Sequence, residues 1–163
     1  GAQLDAFEQR DGYRYTALAT DTMYSHTKPG FGYQPAPTVA GEQAYRMAGL
    51  GPDDLDVAEL HDCFTIAELL AYEDLGFCGR GEAAKWLRSG TPALGGELPC
   101  NPSGGLLSKG HPIGATGVAQ LCEVFWQVRG EAGDRQVEGA RTGLTHNVGG
   151  NGQVCCVNIA RRR

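Results

Sequence analysis

Three short segments of this chain combine histidine with cysteine, glycine or asparagine in patterns that suit acid–base chemistry. The first is His61-Asp62-Cys63-Phe64. It follows a short run, Asp56 to Leu60, and precedes a stretch with helical period. Sites in open α/β sheets gather at strand C-termini. A helix N-terminus favours negative charge, which lowers a thiol pKa and steadies an oxyanion. His61 and Cys63 placed there suit a hydrogen-bond donor and a proton carrier. An ordinary helix cap with a structural cysteine fits the same residues.

The second segment runs from Asn101-Pro102-Ser103-Gly104-Gly105 through Ser108-Lys109-Gly110-His111-Pro112 to Gly117. Gly104, Gly105 and Gly110 let the backbone approach a bound group closely, so the segment is read as a substrate loop. Pro112 suits a first helical turn and would hold His111 at the mouth of a helix. The GxxxxGK[ST] spacing of a phosphate loop is missing. A polar loop with one exposed histidine is the alternative. The third segment is Thr145-His146-Asn147-Val148-Gly149-Gly150-Asn151-Gly152, whose glycines a plain hairpin would also explain. His26 has no neighbouring motif. Lys28 and Lys109 read as solvated, with phosphate contact as the other option.

The elements that must carry these segments follow from period and breakers. Arg14 to Thr22 reads as a strand, and Lys28 to Pro37 as an irregular loop. Thr38 suits the cap of a helix through Met47, ended by Gly49. After the Asp56–Leu60 strand, a helix from Thr65 carries the stripe Ile66, Leu69, Leu70, Leu75 and stops at Gly76. A short helical piece spans Glu82 to Arg88. A further helix, Ile113 to Arg129, would bury Val118, Leu121, Cys122 and Phe125. Arg141 to His146 and Gln153 to Ile159 read as two hairpin strands. With one short extended piece before the last helix, the order gives an α/β layer with a mixed sheet and helices against it. Residues 1–163 form a single domain in this reading: 1–50 supply the first strand, loop and helix, and 51–163 carry the motifs.

Composition narrows the function classes. The chain has 163 residues and a net charge of -5, which argues against a nucleic-acid surface. The Arg161-Arg162-Arg163 run reads as a solvated end. No apolar run approaches the roughly 20 residues of a membrane span. The six cysteines form no CxxC pair, so neither a disulfide framework nor a zinc site is expected. A reducing, cytoplasmic compartment of bacterial type fits. The start, Gly1-Ala2-Gln3-Leu4-Asp5, has no secretory pattern, and the end is not the peroxisomal Ser-Lys-Leu.

Together the three segments resemble the thiolase superfamily, most closely its sterol-carrier-protein-2 type, in which HDCF stands where other members have NEAF. Glu59-Leu60-His61-Asp62-Cys63-Phe64 with Glu68-Leu69-Leu70 carries the first match. Asn101-Pro102-Ser103-Gly104-Gly105 through Gly110-His111-Pro112-Ile113-Gly114-Ala115-Thr116-Gly117 carries the second. Trp126 to Gly133 and His146-Asn147-Val148-Gly149 add to it. The likeness is strong from Asp53 to Ile159 and weaker over the first fifty residues.

The resemblance implies a C-terminal thiolase-like domain, βαβαβαββ with a mixed five-stranded sheet. It implies 3-oxoacyl-CoA cleavage or the reverse condensation, with coenzyme A as co-substrate and no covalently bound cofactor or metal. By the same likeness His111 would deprotonate the nucleophilic thiol and bond the thioester oxygen. His61 would help hold the enolate oxyanion. Cys63 would move the α-carbon proton. Gly104, Gly105, Gly110, Asn147 and Gly149 would form the oxyanion and substrate loops. Other thiolases take the acid/base cysteine from a CxG motif, and here that turn is Asn147-Val148-Gly149. The nucleophilic cysteine belongs to the family's first half, so an N-terminal half is the implied partner, in the same or a separate chain. The full enzyme would be a homo-oligomer acting on acyl-CoA. A retro-aldolase subunit for sterol side-chain CoA esters and a non-catalytic lipid-transfer or assembly module are the alternatives.

Overall fold

A computed structural model of the chain describes residues 13–21 and 35–162. His26, Lys28 and most of the Lys28–Pro37 segment lie outside the described residues. The elements are β1 (Tyr13–Thr20), α1 (Pro35–Ala48), β2 (Val57–Glu59), α2 (Thr65–Asp74), α3 (Ala83–Arg88), α4 (Gly105–Lys109), α5 (Thr116–Arg129), β3 (Thr142–Gly149) and β4 (Val154–Arg161). The mixed α/β architecture agrees with the sequence reading. Helix α1 starts earlier than expected, with Pro35 and Pro37 in its first turn, where a missing N–H costs nothing.

The sheet has the order β1-β4-β3-β2. β4 pairs antiparallel with both β1 and β3. β2 pairs parallel with β3, Val57 opposite Gly143 and Glu59 opposite Thr145. That parallel pair sends the chain beyond Glu59 and the end of β3 out on the same side. The first and third histidine segments are thereby neighbours.

The described residues form four strands rather than the expected five. The short extended piece is reduced to one parallel bridge, Ala58 to Cys100. The Ala58 N–H donates to Pro99 O at 3.0 Å, and the Asn101 N–H to Ala58 O at 2.8 Å. Pro99 and Pro102 flank the bridge, and neither has an N–H with which to extend a ladder.

Helix α1 lies on β1 and β4 through small buried residues, Ala36, Ala40, Gly41 and Ala44. They meet Ala17, Ala19, Val157 and Ile159 in the main core. Tyr72 of α2 closes one end of that core, its ring 4.6 Å from Trp86. The expected stripe on α2 is only partly right. Leu75 is buried, but Ile66 is 58% exposed, and Ala71, Tyr72 and Asp74 take the inward positions.

Helix α5 covers the opposite face of β2 and β3, with Val124 and Val128 against Ala160. Its buried face is not the expected Val118, Leu121, Cys122 and Phe125. Val118 is 61% exposed, and Gln120, Glu123 and Gln127 point inward. Each polar side chain answers a group that needs a partner. The Gln120 amide donates to His146 O at 3.0 Å and Glu59 O at 3.4 Å. Glu123 accepts from Arg135 at 3.2 and 2.9 Å. Gln127 donates to Arg135 O and accepts from the Val137 N–H, both at 2.8 Å. Buried backbone groups without a partner would cost more than the apolar area given up.

Gly143 fixes how closely α5 sits. A Cβ there would lie 2.6 Å from Val124 Cγ1 and 3.0 Å from Val57 Cγ1. Gly143→Ala is expected to destabilise the protein by about 1–3 kcal/mol through overpacking, read as a lower urea midpoint. An unchanged midpoint would mean that α5 is not seated on β2 and β3 in this way. Among the described residues, no helix is long and apolar enough to cross a membrane.

Candidate active site

β2 ends at Glu59, and the chain passes through Leu60, His61, Asp62 and Cys63 before α2 begins. His61 and Asp62 are buried, Cys63 is half-buried and Phe64 is 70% exposed. His111 follows α4 on a short exposed loop. The rings of His61 and His111 meet edge to face, 4.9 Å between centroids at 84°. The first and second histidine segments thus form one site at the C-terminal end of β2.

The loop after His111 anchors the Nδ1 edge of its ring. Pro112 does not open the helix as expected. It precedes α5, and its carbonyl accepts the Ala115 and Thr116 N–H groups at 2.8 and 2.9 Å. The Thr116 hydroxyl donates its single proton to the same carbonyl at 3.1 Å. The Thr116 hydroxyl oxygen lies 2.7 Å from His111 Nδ1, and with its proton on Pro112 O it accepts from that nitrogen. Nδ1 then carries the proton of the neutral ring, and Nε2 keeps the lone pair a base needs.

His61 prefers the neutral form. Burial lowers its pKa first and the neighbouring His111 lowers it further, while Asp62 opposes both. Its Nδ1 has no hydrogen-bond partner among the described residues. His146 lies behind it, on β3. His146 Nδ1 accepts the His61 backbone N–H at 3.5 Å, a long bond. Burial, then the proximity of His61, pulls the His146 pKa down to about 3. His146 is therefore an uncharged wall of the site across the working pH range.

Cys63 differs from the sequence expectation in sign. Burial raises its thiol pKa more than the backbone N–H groups of Phe64 and Cys63 lower it, and Asp62 raises it further. The helix N-terminus is present, but desolvation outweighs it. A protonated thiol suits a proton donor better than a standing nucleophile.

The segment from Asn101 to Gly110 contains a helix that the sequence reading left as loop. Gly104, Gly105 and Gly110 all have positive φ, at 95°, 61° and 91°. A Cβ on Gly105 would fall on the Asp62 carboxylate. Asp62 Oδ1 accepts the Leu106 N–H at 2.7 Å, and Oδ2 the Leu107 N–H at 3.5 Å. Lys109, expected to be solvated, reaches back to Glu59 Oε2 at 3.3 Å and donates to Ser103 Oγ. Burial raises the Glu59 pKa, and the bonds from Ser103 and Lys109 oppose it.

Asn147 and Gly149 belong to strand β3 rather than to a loop. Asn147 Nδ2 donates to Gln120 Oε1 at 3.0 Å, so its side chain is committed to α5. Gly149 pairs with Val154 at the far end of the strand, and a Cβ would make ordinary contact there. No steric demand for glycine exists at that position. Sequence reasoning placed Asp62, Thr116 and His146 inside its three segments without giving them a role, and passed over Gln120. The partners of Asp62, Gln120 and His146 are distant in sequence, whereas those of Thr116 are four and five residues away, within the second histidine segment. All six cysteines carry free thiols. Among the described residues, no cluster of three His, Cys, Asp or Glu side chains is placed to hold a metal.

Comparison with known proteins matches residues 17–162 to the family described as thiolase C-terminal domain-like. The chain is 48% identical over 147 residues to an acetyl-CoA acetyltransferase of Methanothermobacter thermautotrophicus, spanning 90% of this chain and 38% of that protein. It is 55% identical over 115 residues to sterol carrier protein 2 of Homo sapiens, spanning 71% of this chain and 21% of that one. Among solved structures, the Ltp2-ChsH2(DUF35) aldolase is similar with a TM-score of 0.80 at 30% identity, spanning 91% of this chain and 39% of the other. The chain covers well under half the length of each of these relatives.

Proposed function

The chain belongs to the thiolase C-terminal domain-like family, and from that premise we propose that it supplies the acid–base and oxyanion side of a 3-oxoacyl-CoA thiolase. The observation that carries the reading is the edge-to-face pair of the His61 and His111 rings, with Cys63 two residues beyond His61 on the same connection from β2 to α2. The acetyl-CoA acetyltransferase relative supports the reaction class.

Each group has one task in this mechanism. A cysteine of the N-terminal half gives its proton to His111 Nε2, and its thiolate attacks C3 of 3-oxoacyl-CoA. The C2–C3 bond breaks, and its electron pair moves into the thioester as an enolate. The enolate oxygen is held by the protonated His111 Nε2 and by His61. Cys63 gives its thiol proton to C2, releasing acetyl-CoA. The Cys63 thiolate then takes the proton of incoming coenzyme A, whose sulfur accepts the acyl group. His111 returns its proton to the freed cysteine, and every group is restored. Condensation runs the same steps backward.

The N-terminal half would also cover the apolar side chains around the site. Phe64, Ile66, Leu107 and Ile113 are 70%, 58%, 56% and 88% exposed, an unusual concentration beside the buried His61 and the exposed His111. The six free thiols suit a reducing compartment.

One observation favours a second reading, the similarity to a solved aldolase. A retro-aldolase needs the acid–base and oxyanion groups but no acyl-enzyme. The complete enzyme separates the two. With 3-oxoacyl-CoA and coenzyme A, mass spectrometry should show acetyl-CoA and the shortened acyl-CoA. Cleavage only of a 3-hydroxyacyl-CoA, with no thiolysis, would overturn the thiolase reading in favour of the lyase.

A further inference from the structure

We propose that Asp62 and Glu59 are positioning residues, which fix His111 against His61 by fastening the Asn101–Gly110 segment to the end of β2. The proposal rests on the acid–base reading of the histidine pair.

The two carboxylates grip α4 from different sides. Asp62 is 3% exposed and takes the Leu106 and Leu107 N–H groups of its first turn. Those donors have no partner within the helix. Glu59 is fully buried and holds what lies at either end. Its Oε1 accepts the Ser103 N–H at 3.1 Å and its Oε2 the Ser103 hydroxyl at 2.7 Å. The same Oε2 meets Lys109 Nζ, on the last residue of α4. A third tie comes from the strand itself, since the Leu60 N–H donates to Asn101 Oδ1 at 2.7 Å. Asn101 Nδ2 donates in turn to Glu68 at 3.0 Å. Asn101 has φ 53°, the one described residue other than glycine with positive φ.

One residue, Gly110, separates these ties from His111. The Gly110 N–H bonds to Leu106 O at 3.0 Å, and His111 is the next residue. A displacement of α4 therefore carries the imidazole with it. His61 is the covalent neighbour of Asp62, so one carboxylate sets both rings of the pair. Two buried carboxylates are a costly way to hold a five-residue helix, and apolar contacts would stabilise it as well. What the carboxylates add is a fixed register between two loops that share the reacting atoms.

The test uses the complete enzyme carrying Asp62→Asn or Glu59→Gln, each of which keeps size and loses charge. Three quantities are read: kcat and KM for 3-oxoacyl-CoA, the unfolding temperature, and the ring 15N resonances of His111 in histidine-labelled protein. The expected result is a kcat lowered by about 10- to 100-fold in Asp62→Asn, the scale of an ångström-size misplacement. KM should stay within about threefold, because ground-state binding is untouched. The His111 resonances should move while the unfolding temperature holds. A kcat within about twofold of wild type with unmoved resonances overturns the proposal. A joint fall of kcat, unfolding temperature and affinity also overturns it, since that marks a purely structural role. If Asp62→Asn does not fold, Glu59→Gln decides by the same criteria. A wild-type enzyme without acyl-CoA cleavage would sink the acid–base reading, and the His111 resonances alone would then decide for or against the ties.

Discussion

His111→Ala in the complete enzyme is expected to lower kcat for thiolysis by about 100- to 10,000-fold, the range for removing a positioned general base. KM for the acyl-CoA should change little, because the ring acts on the reacting atoms. The argument starts from the Thr116 hydroxyl. With its proton on Pro112 O, it accepts from His111 Nδ1. The lone pair on Nε2 is left for the nucleophilic thiol. Removing the ring removes both the base and the donor that later holds the enolate oxygen. Thr116→Val should keep the ring but free its tautomer. Its loss should be on the order of tenfold, the worth of one hydrogen bond of about 1.4 kcal/mol. Steady-state kinetics on both variants checks the ordering. Equal rates for wild type and His111→Ala would remove the base from the mechanism.

Cys63→Ala should cost a similar 100- to 10,000-fold, because it removes the acid that completes C2. Cys63→Ser should not recover the rate, since a hydroxyl is a far weaker acid than a thiol. The pH profile carries a second signature. Cleavage needs Cys63 protonated, and its pKa is raised, chiefly by burial. The basic limb of kcat should therefore fall above the ordinary thiol value of about 8.5, not below it. Stopped assays across neutral and alkaline pH would show this. A limb that drops below neutrality would mean that Cys63 ionises early and is no acid in the reaction.

The site and the fold were legible to different depths. The strand-to-helix change at His61–Thr65 showed in the shift of hydrophobic period, and the last hairpin in its alternation. The fifth strand did not survive, because prolines on both sides of Cys100 leave it one bridge. The buried face of α5 was unreadable from apolar pattern. Gln120, Glu123 and Gln127 face inward to meet groups near Glu59, Arg135, Val137 and His146. Hydropathy cannot foresee partners that only folding brings near. Helix α4 was hidden for a related reason. A Gly/Ser-rich stretch has little intrinsic tendency to form a helix. It forms one here between Asp62 and Glu59, carboxylates far away in sequence. Cys63 stands out by its motif, but the direction of its pKa needed the burial that the sequence does not display.

The most direct measurement is exchange of the C2 protons of acetyl-CoA in deuterated water, followed by NMR on the complete enzyme. It isolates the proton transfer assigned to Cys63 from acyl transfer. Wild type should exchange the label readily, and Cys63→Ala should slow the exchange by about 100-fold or more. Exchange by Cys63→Ala at the wild-type rate would contradict the assignment of Cys63, two residues beyond His61, as the carrier of the α-carbon proton.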